Sequence, residues 1–380
     1  MRIVICGLLK YPAGDAGSVR QEKMAQLLML MGHEVLVVGL GSASDGTVAK
    51  YNGVSYLSFR NHAPGLQGKV KSHILFWKKL KNEIGTYNPQ AVIVDDLGPE
   101  KMRKLKALCR KKKILLIHDS VEWYSPEQFS RGKMSLRYIR KDCLNRKILD
   151  KQFRCIAISK YLLQYFRSKG IQTVNIPIVV TPEDICTEKQ LQTEKVVFTY
   201  AGQPGKKDYL HVMLEAFLLL PAELREKAIF HIVGCTKQQM VAAGIAEEVL
   251  ERLESQLKIH GRVPRDTVLE LLKETDFTLL MRSAEQRYAK AGFPTKVVES
   301  LSKSTPVICN LTSDLADYLT DGQDALVVEN CSAEALKDQL KRAIVMSQAQ
   351  RMEMCKYAAK TAEDCFLYTS FSQQMQEILH

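Results

Sequence analysis

Short apolar runs alternate with helical stretches twice along this chain of 380 residues. In the first half Ile3–Gly7, Glu34–Val38, Ala91–Val94, Ile114–Ile117 and Cys155–Ile158 are continuous and β-branched. That is the pattern of strands buried on both faces of a parallel sheet. Between them Val19–Met31 and Lys101–Lys111 have helical spacing, and Gly32-His33 ends the first in the manner of a C-terminal cap. The rhythm restarts with Val196–Tyr200, Ala228–Val233, Phe277–Met281, Pro306–Asn310 and Ala325–Val328, with turn signals at Gly202-Gln203-Pro204-Gly205 and Gly234. Alternation of this kind predicts the α/β class, as two doubly wound, Rossmann-like domains facing across a cleft. The expected boundaries are 1–175 for the first domain, a Pro-containing polar linker over 176–195, and 196–355 for the second. The closing stretch Glu353–Leu379 reads as helix, with 356–380 expected to cross back onto the first domain.

Composition agrees with a globular enzyme: 46% hydrophobic and 25% charged residues. The ten cysteines stand singly with no Cys-x-x-Cys pair, as buried thiols in a reducing compartment do. No basic-then-apolar leader opens the chain, and no apolar run nears the roughly 20 residues of a bilayer span, so a cytoplasmic location is expected. Net charge is +12 and unevenly placed. Residues 101–113 carry eight cations and no acid, while Lys69, Lys71, Lys78, Lys79 and Lys81 surround Ile74-Leu75-Phe76-Trp77. A solvated helix face, an anionic membrane surface and nucleic acid all fit such runs. Nucleic acid fits least, because no recognition motif accompanies the charge. Peripheral attachment at the inner membrane face through 69–81 and 101–113 stays open beside the solvated face.

Several strand ends carry candidate chemistry. Ala291-Gly292-Phe293-Pro294-Thr295-Lys296-Val297-Val298-Glu299 joins a Gly-containing bend to a helix, with a lysine and then a carboxylate. Helix N–H groups and Lys296 favour an anion, and Glu299 is able to accept hydrogen bonds from ribose hydroxyls or to sit in the first turn and stabilise the dipole. Tyr200–Asp208 follows the first strand of the second half, with Lys206 and Lys207 placed to neutralise a diphosphate and Gly202 allowing close backbone approach. Gly261-Arg262-Val263-Pro264 precedes a helix, its backbone able to pair with a base edge. After the first strand, Gly14 and Gly17 permit a tight loop, and Ser18 reads as the cap of a helix that Arg20 begins. The spacing is not Gly-x-Gly-x-x-Gly, which disfavours a dinucleotide. His118-Asp119 closes the fourth strand, where side chains enter the crevice of a parallel sheet, able to orient a hydroxyl-rich substrate or to make a structural contact. Asp95-Asp96 ends the strand before it, but neighbours on a strand face opposite ways, so no metal site is expected.

Taken in order, these motifs resemble the retaining glycosyltransferases of family four, the group-one glycosyltransferases of GT-B fold. The most specific part is the second half, with AGFPTKVVESLSKSTPVI similar to enzymes that build bacterial surface polysaccharides. The resemblance implies transfer of a sugar from a nucleotide-diphosphate sugar, UDP- or GDP-linked, to a lipid-linked or polysaccharide acceptor, with retention and without a metal or other cofactor. It places His118 near the sugar in support of catalysis, with Asp119 beside it, and Gly17 against the donor diphosphate. It gives Lys207 the donor phosphates, backbone near Val263 the base, the Gly292, Phe293 and Thr295 region the diphosphate, and Glu299 the ribose. Three departures stand out: Ala291 where the family has a glutamate, Gln203 where it has an arginine, and Pro294 where glycine is common. The first keeps open a non-catalytic GT-B-fold partner; a sugar-nucleotide epimerase or phosphorylase would share the architecture.

Overall fold

The computed structural model describes residues 1–12, 15–41, 46–60, 66–191, 194–203, 205 and 207–380. Packing divides them into two units: Met1–Val179 with Ala291–Phe293 and Tyr368–His380, and Val180–Lys290 with Pro294–Leu367.

The first unit is built on eight strands: β1 (Arg2–Lys10), β2 (Glu34–Leu40), β3 (Ala49–Tyr51), β4 (Val54–Phe59), β5 (Ala91–Val94), β6 (Leu115–Ser120), β7 (Arg154–Ala157) and β8 (Thr173–Asn175). Their order is β3-β4-β2-β1-β5-β6-β7-β8, with every pairing parallel except that of β3 with β4. That hairpin escapes the apolar-run pattern, because Lys50, Ser55 and Ser58 interrupt its short strands. Its turn is nonetheless written in Asn52-Gly53, which take φ of 46° and 79°, the positive pair a type I′ turn needs. Ile3, Ile5, Val35, Val37, Ile93 and Ile117 fill one face of the sheet, covered by Met24, Leu27 and Leu28 of the helix Ala16–Leu30. The final helix, Ser372–Leu379, adds Met375, Ile378 and Leu379 to the same core. The closing stretch is thus two helices rather than one: Gln348–Phe366 ends in extended backbone at Leu367 before the last helix begins.

The second unit carries β9 (Val196–Ala201), β10 (Ala228–Val233), β11 (Leu257–Gly261), β12 (Phe277–Leu280), β13 (Val307–Asn310) and β14 (Ala325–Val328). All pairings are parallel, in the order β11-β10-β9-β12-β13-β14. Renumbered from its own first strand, this is 3-2-1-4-5-6, the doubly wound order whose direction reverses between the first and fourth strands. Around β1 and β5 the first sheet reverses in the same way. Each reversal opens a crevice beyond the carboxyl ends of the two strands, and that is where ligands of such sheets sit. Phe198, Phe217, Phe230 and Phe277 fill the second core.

Candidate functional site

At the carboxyl end of β9 the backbone is drawn close to its neighbours. Gly202 N–H donates to Val233 O at 2.7 Å, and Gly234 N–H to Gly261 O at 2.7 Å. Gly234 has φ +105°, and a side chain there would run into the Gly202 carbonyl; one at Gly202 would displace the Lys296 ammonium. Lys296 lies in the first turn of the helix Thr295–Ser302 and reaches back over the Tyr200 ring, 4.4 Å from its centroid, to ion-pair with Asp208. The other Asp208 oxygen accepts from Arg282 Nε at 2.7 Å, and Tyr200 OH donates to Asp208 at 3.2 Å. Arg282 follows β12 and is locked by Asn310 at the end of β13, which accepts from its N–H (3.0 Å) and donates to its carbonyl (2.7 Å). Burial alone would raise the Asp208 carboxyl, but Lys296 and Arg282 overcome it and hold the group well below the usual carboxylate range. Burial lowers the Lys296 ammonium, with Asp208 resisting. Two half-buried cations against one buried carboxylate leave this cluster one positive charge in excess, at the crevice between β9 and β12.

Beside it lies a small pocket lined by Thr199 and Ala201 of β9, Thr278–Leu280 of β12, and Lys296, Val297 and Glu299 of the helix. Glu299 is the fifth residue of that helix, beyond the first turn, so it does not act on the dipole. Its carboxylate pairs instead with Arg265, 2.8 Å away on the helix Arg265–Lys273. Val263 lies between Gly261 and that helix. Thr295 opens the Lys296 helix, whose N-cap is Pro294. Gly292 and Phe293 group with the first unit, while Thr295, Lys296 and Glu299 belong to the second. Lys207 is exposed, and its carbonyl accepts from Tyr288 OH at 2.7 Å. Lys206 and Gly14 lie outside the described residues.

In the first unit Gly17 stands in the first turn of Ala16–Leu30, where an added side chain would meet Leu9. The cap of that helix is Asp15 rather than Ser18: Asp15 accepts from Ser18 N–H (2.9 Å), and Ser18 Oγ accepts from Asp15 N–H (3.0 Å). This is a reciprocal capping box that starts the helix four residues before Arg20. His118 is fully buried and its Nδ1 lies 3.0 Å from Val94 O. A carbonyl only accepts, so Nδ1 carries the proton and Nε2 presents a lone pair, which has no partner among the described residues. Burial first, then the Lys141 cation, pushes the imidazole down to about 4. It is therefore a neutral hydrogen-bond acceptor near pH 7. Asp119 points the other way and is fully engaged: both oxygens accept from Arg20, which also donates to Ile176 O (3.0 Å) and Pro177 O (2.5 Å). Held by Asp119 at the end of β6, Arg20 fastens the helix after β1 to the segment after β8.

Asp95 and Asp96 part as strand neighbours should. Burial lifts Asp95 to about 7. Burial also works to raise Asp96, but Lys141 at 3.4 Å and the Gly98 N–H outweigh it and hold Asp96 down. Gln21, buried near Gly7 and Asp95, has neither amide atom hydrogen-bonded among the described residues. Among the described residues no group of three His, Cys, Asp or Glu is placed to hold a metal, and no helix is long and apolar enough to cross a membrane. Sequence reasoning missed Asp208, Arg282 and Gln21. The signal for the first two was their place just beyond parallel strands; Gln21 shares a helix with Gly17.

Residues 183–362 match the model of the family described as glycosyl transferases group 1. An uncharacterized glycosyltransferase of Methanocaldococcus jannaschii is 19% identical over 237 residues, 60% of this chain and 58% of its own, so the chain spans less than two thirds of that curated relative. Among solved structures, sucrose-phosphate synthase from Thermosynechococcus elongatus superposes with TM-score 0.75 at 14% identity over 99% of this chain and 98% of that one. WaaG, a glycosyltransferase involved in lipopolysaccharide biosynthesis, gives 0.70 at 16% over 99% of both. Anabaena HepE in complex with UDP-glucose gives 0.68 at 15% over 100% and 99%. At these identities the likeness establishes the fold, mixed α/β with two parallel sheets, as in GT-B glycosyltransferases.

Proposed function

We propose that this chain is a retaining glycosyltransferase of the group 1 type. In this reading it moves a sugar from a nucleotide-diphosphate sugar to a lipid-linked or polysaccharide acceptor in surface-glycan biosynthesis, in the cytoplasm. The observation that carries it is the Lys296–Asp208–Arg282 cluster, whose excess positive charge sits where β9 and β12 diverge. In the reaction the bond between the anomeric carbon and the diphosphate oxygen breaks, and a bond from that carbon to an acceptor oxygen forms as the acceptor hydroxyl passes its proton to the departing diphosphate. Negative charge grows on the departing diphosphate, and cations fixed beforehand stabilise it without reorganising. Lys296 and Arg282 take the place that Gln203 leaves vacant, Lys207 adds charge from the loop, and Glu299 receives the ribose hydroxyls. His118 accepts a hydrogen bond from a sugar hydroxyl through Nε2. Support for the nucleotide comes from HepE, solved with UDP-glucose, and for the pathway from WaaG, named for lipopolysaccharide biosynthesis.

One observation favours a second reading, a non-catalytic partner: fully buried Ala291 stands where the resemblance asks for a glutamate. Calorimetric titration with UDP, GDP, ADP and TDP, with and without magnesium, followed by assay of nucleotide release from the matching sugar donor, separates the two. Binding of one diphosphate independent of magnesium, with release stimulated by acceptor lipid, supports the transferase. Binding with no release supports the partner, and no binding by any diphosphate sinks both.

A further inference from the structure

Charge is concentrated in one stretch of the first unit. Between residues 99 and 147 there are fifteen Lys and Arg against five Asp and Glu, so this stretch supplies +10 of the chain's +12. The helix Pro99–Lys112 turns Met102, Leu105 and Cys109 into the core and leaves most of its cations outside. Next to it lies the helix Leu136–Cys143, close enough that Arg140 depresses the Lys101 ammonium, though burial acts on it first. Immediately before and along this second helix, three large apolar side chains face solvent: Met134 at 80% exposure, Leu136 at 69% and Ile139 at 47%. Arg131 and Lys133 are exposed beside them. Single exposed hydrophobes are ordinary, but three within six residues, rimmed by cations, form a patch with two chemistries. Among the described side chains of the helix Leu66–Tyr87, by contrast, Phe76 and Leu80 are buried, Lys79 caps the Phe59 ring and Ile74 is exposed. The Lys69 side chain lies outside the described residues.

We infer that Met134, Leu136 and Ile139, with the basic rim of Arg131, Lys133 and the helix Pro99–Lys112, form a docking face for an anionic lipid bilayer. Apolar side chains of this size gain by entering the headgroup boundary, and the surrounding cations are drawn to the negative surface potential. Charge complementarity selects the occupant. A protein partner would be served by the apolar knob alone, and nucleic acid by the cations alone; a bilayer uses both. The inference does not depend on the nucleotide site, which belongs to the other unit.

The test is flotation of the full chain with vesicles of phosphatidylcholine alone or with added phosphatidylglycerol. The wild type is expected to float with the anionic vesicles only, and less as salt rises. The triple change M134S/L136S/I139S is expected to weaken partitioning about tenfold or more, and R131E/K133E about fivefold or more. All five positions are exposed, so both variants should melt with the wild type and bind nucleoside diphosphate equally, which shows that the fold survives. The inference fails if the wild type ignores anionic vesicles, or if both variants float as it does. It also fails if the triple variant instead dissolves a dimer seen by sedimentation, or if an RNA oligonucleotide competes fully and binds the triple variant as well as the wild type.

Discussion

At the carboxyl edge of the second sheet, Lys296 and Arg282 keep Asp208 ionised well below the usual carboxylate range, whereas at the same edge of the first sheet burial holds His118 neutral and lifts Asp95 to about 7. The strand orders are alike, so the difference lies in which side chains end the strands. The second edge gathers two cations, Arg282 after β12 and Lys296 of the helix Thr295–Ser302, around one carboxylate and keeps a surplus positive charge, which suits a ligand that brings anions. The first edge hides its ionisable groups and, among the described residues, leaves the Gln21 amide and His118 Nε2 without partners. Unpartnered neutral donors and acceptors suit hydroxyls. The two edges thus differ in charge and hydrogen-bonding character through desolvation and counter-charge rather than topology.

The largest effect should come from the bidentate Arg20–Asp119 ion pair of the first edge. Asp119→Ala strands the buried Arg20 guanidinium, and loss of one partner of a buried pair costs about 3–5 kcal/mol. The midpoint of urea unfolding should fall accordingly, while diphosphate affinity measured on folded protein stays as before. Lost affinity with unchanged stability would mean that Asp119 belongs to a ligand site after all.

Next in size is the second edge. Lys296→Ala and Arg282→Ala should each weaken nucleoside diphosphate binding about 10- to 100-fold, the loss of one charge-assisted contact of about 1.5–3 kcal/mol. Affinity for the matching nucleoside, which lacks phosphate, should hold. Equal losses for nucleoside and diphosphate would show that these cations shape the pocket instead of meeting phosphate.

His118→Ala is expected to lower turnover about tenfold while leaving donor affinity within about twofold, as removal of one neutral hydrogen bond would. Its pH behaviour is the sharper test. The folded imidazole titrates near 4 and an unfolded one near the ordinary 6.5, so between these values the unfolded chain binds the extra proton. Stability gained through His118 is therefore complete above the ordinary value and lost as pH falls toward 4. His118→Gln should remove that part of the slope, and wild-type turnover should show no inflection near 6.5 from this group. An inflection there that the variant abolishes would mean that the imidazole works charged.

Much of this was legible in the chain. Continuous apolar runs mark β1, β2, β5, β6 and β7, and β9, β10, β12, β13 and β14, because strands buried on both faces are dominated by apolar residues. β8 and β11 are short or half-exposed edge strands, and β3 and β4 alternate with polar residues, so neither pair shows as an apolar run. Lys296 and Glu299 stand out because a bend, a cation and a helix start are adjacent in sequence. Asp208 does not, since its meaning lies in partners 74 and 88 residues away. The same distance hides the engagement of Asp119, whose partner Arg20 lies 99 residues earlier. Local chemistry is readable from neighbours; counter-charge is a tertiary property.

The smallest expected effect concerns Glu299, where both chemistries meet. Its half-exposed pair with Arg265 is worth at most about 1 kcal/mol, so breaking it should barely move stability. If the carboxylate serves ribose hydroxyls, Arg265 only holds it in waiting. Glu299→Gln keeps one acceptor oxygen and the side-chain shape but loses the charge, and should weaken diphosphate binding about three- to tenfold. Arg265→Ala should leave binding within about twofold, because the carboxylate remains. Equal losses in the two variants would make the ion pair, not the carboxylate, the functional unit, and would move the ribose away from this helix. A loss in Glu299→Gln alone, seen with the nucleoside as well as the diphosphate, would place the sugar of the nucleotide on Glu299 and leave the phosphates to Lys296 and Arg282.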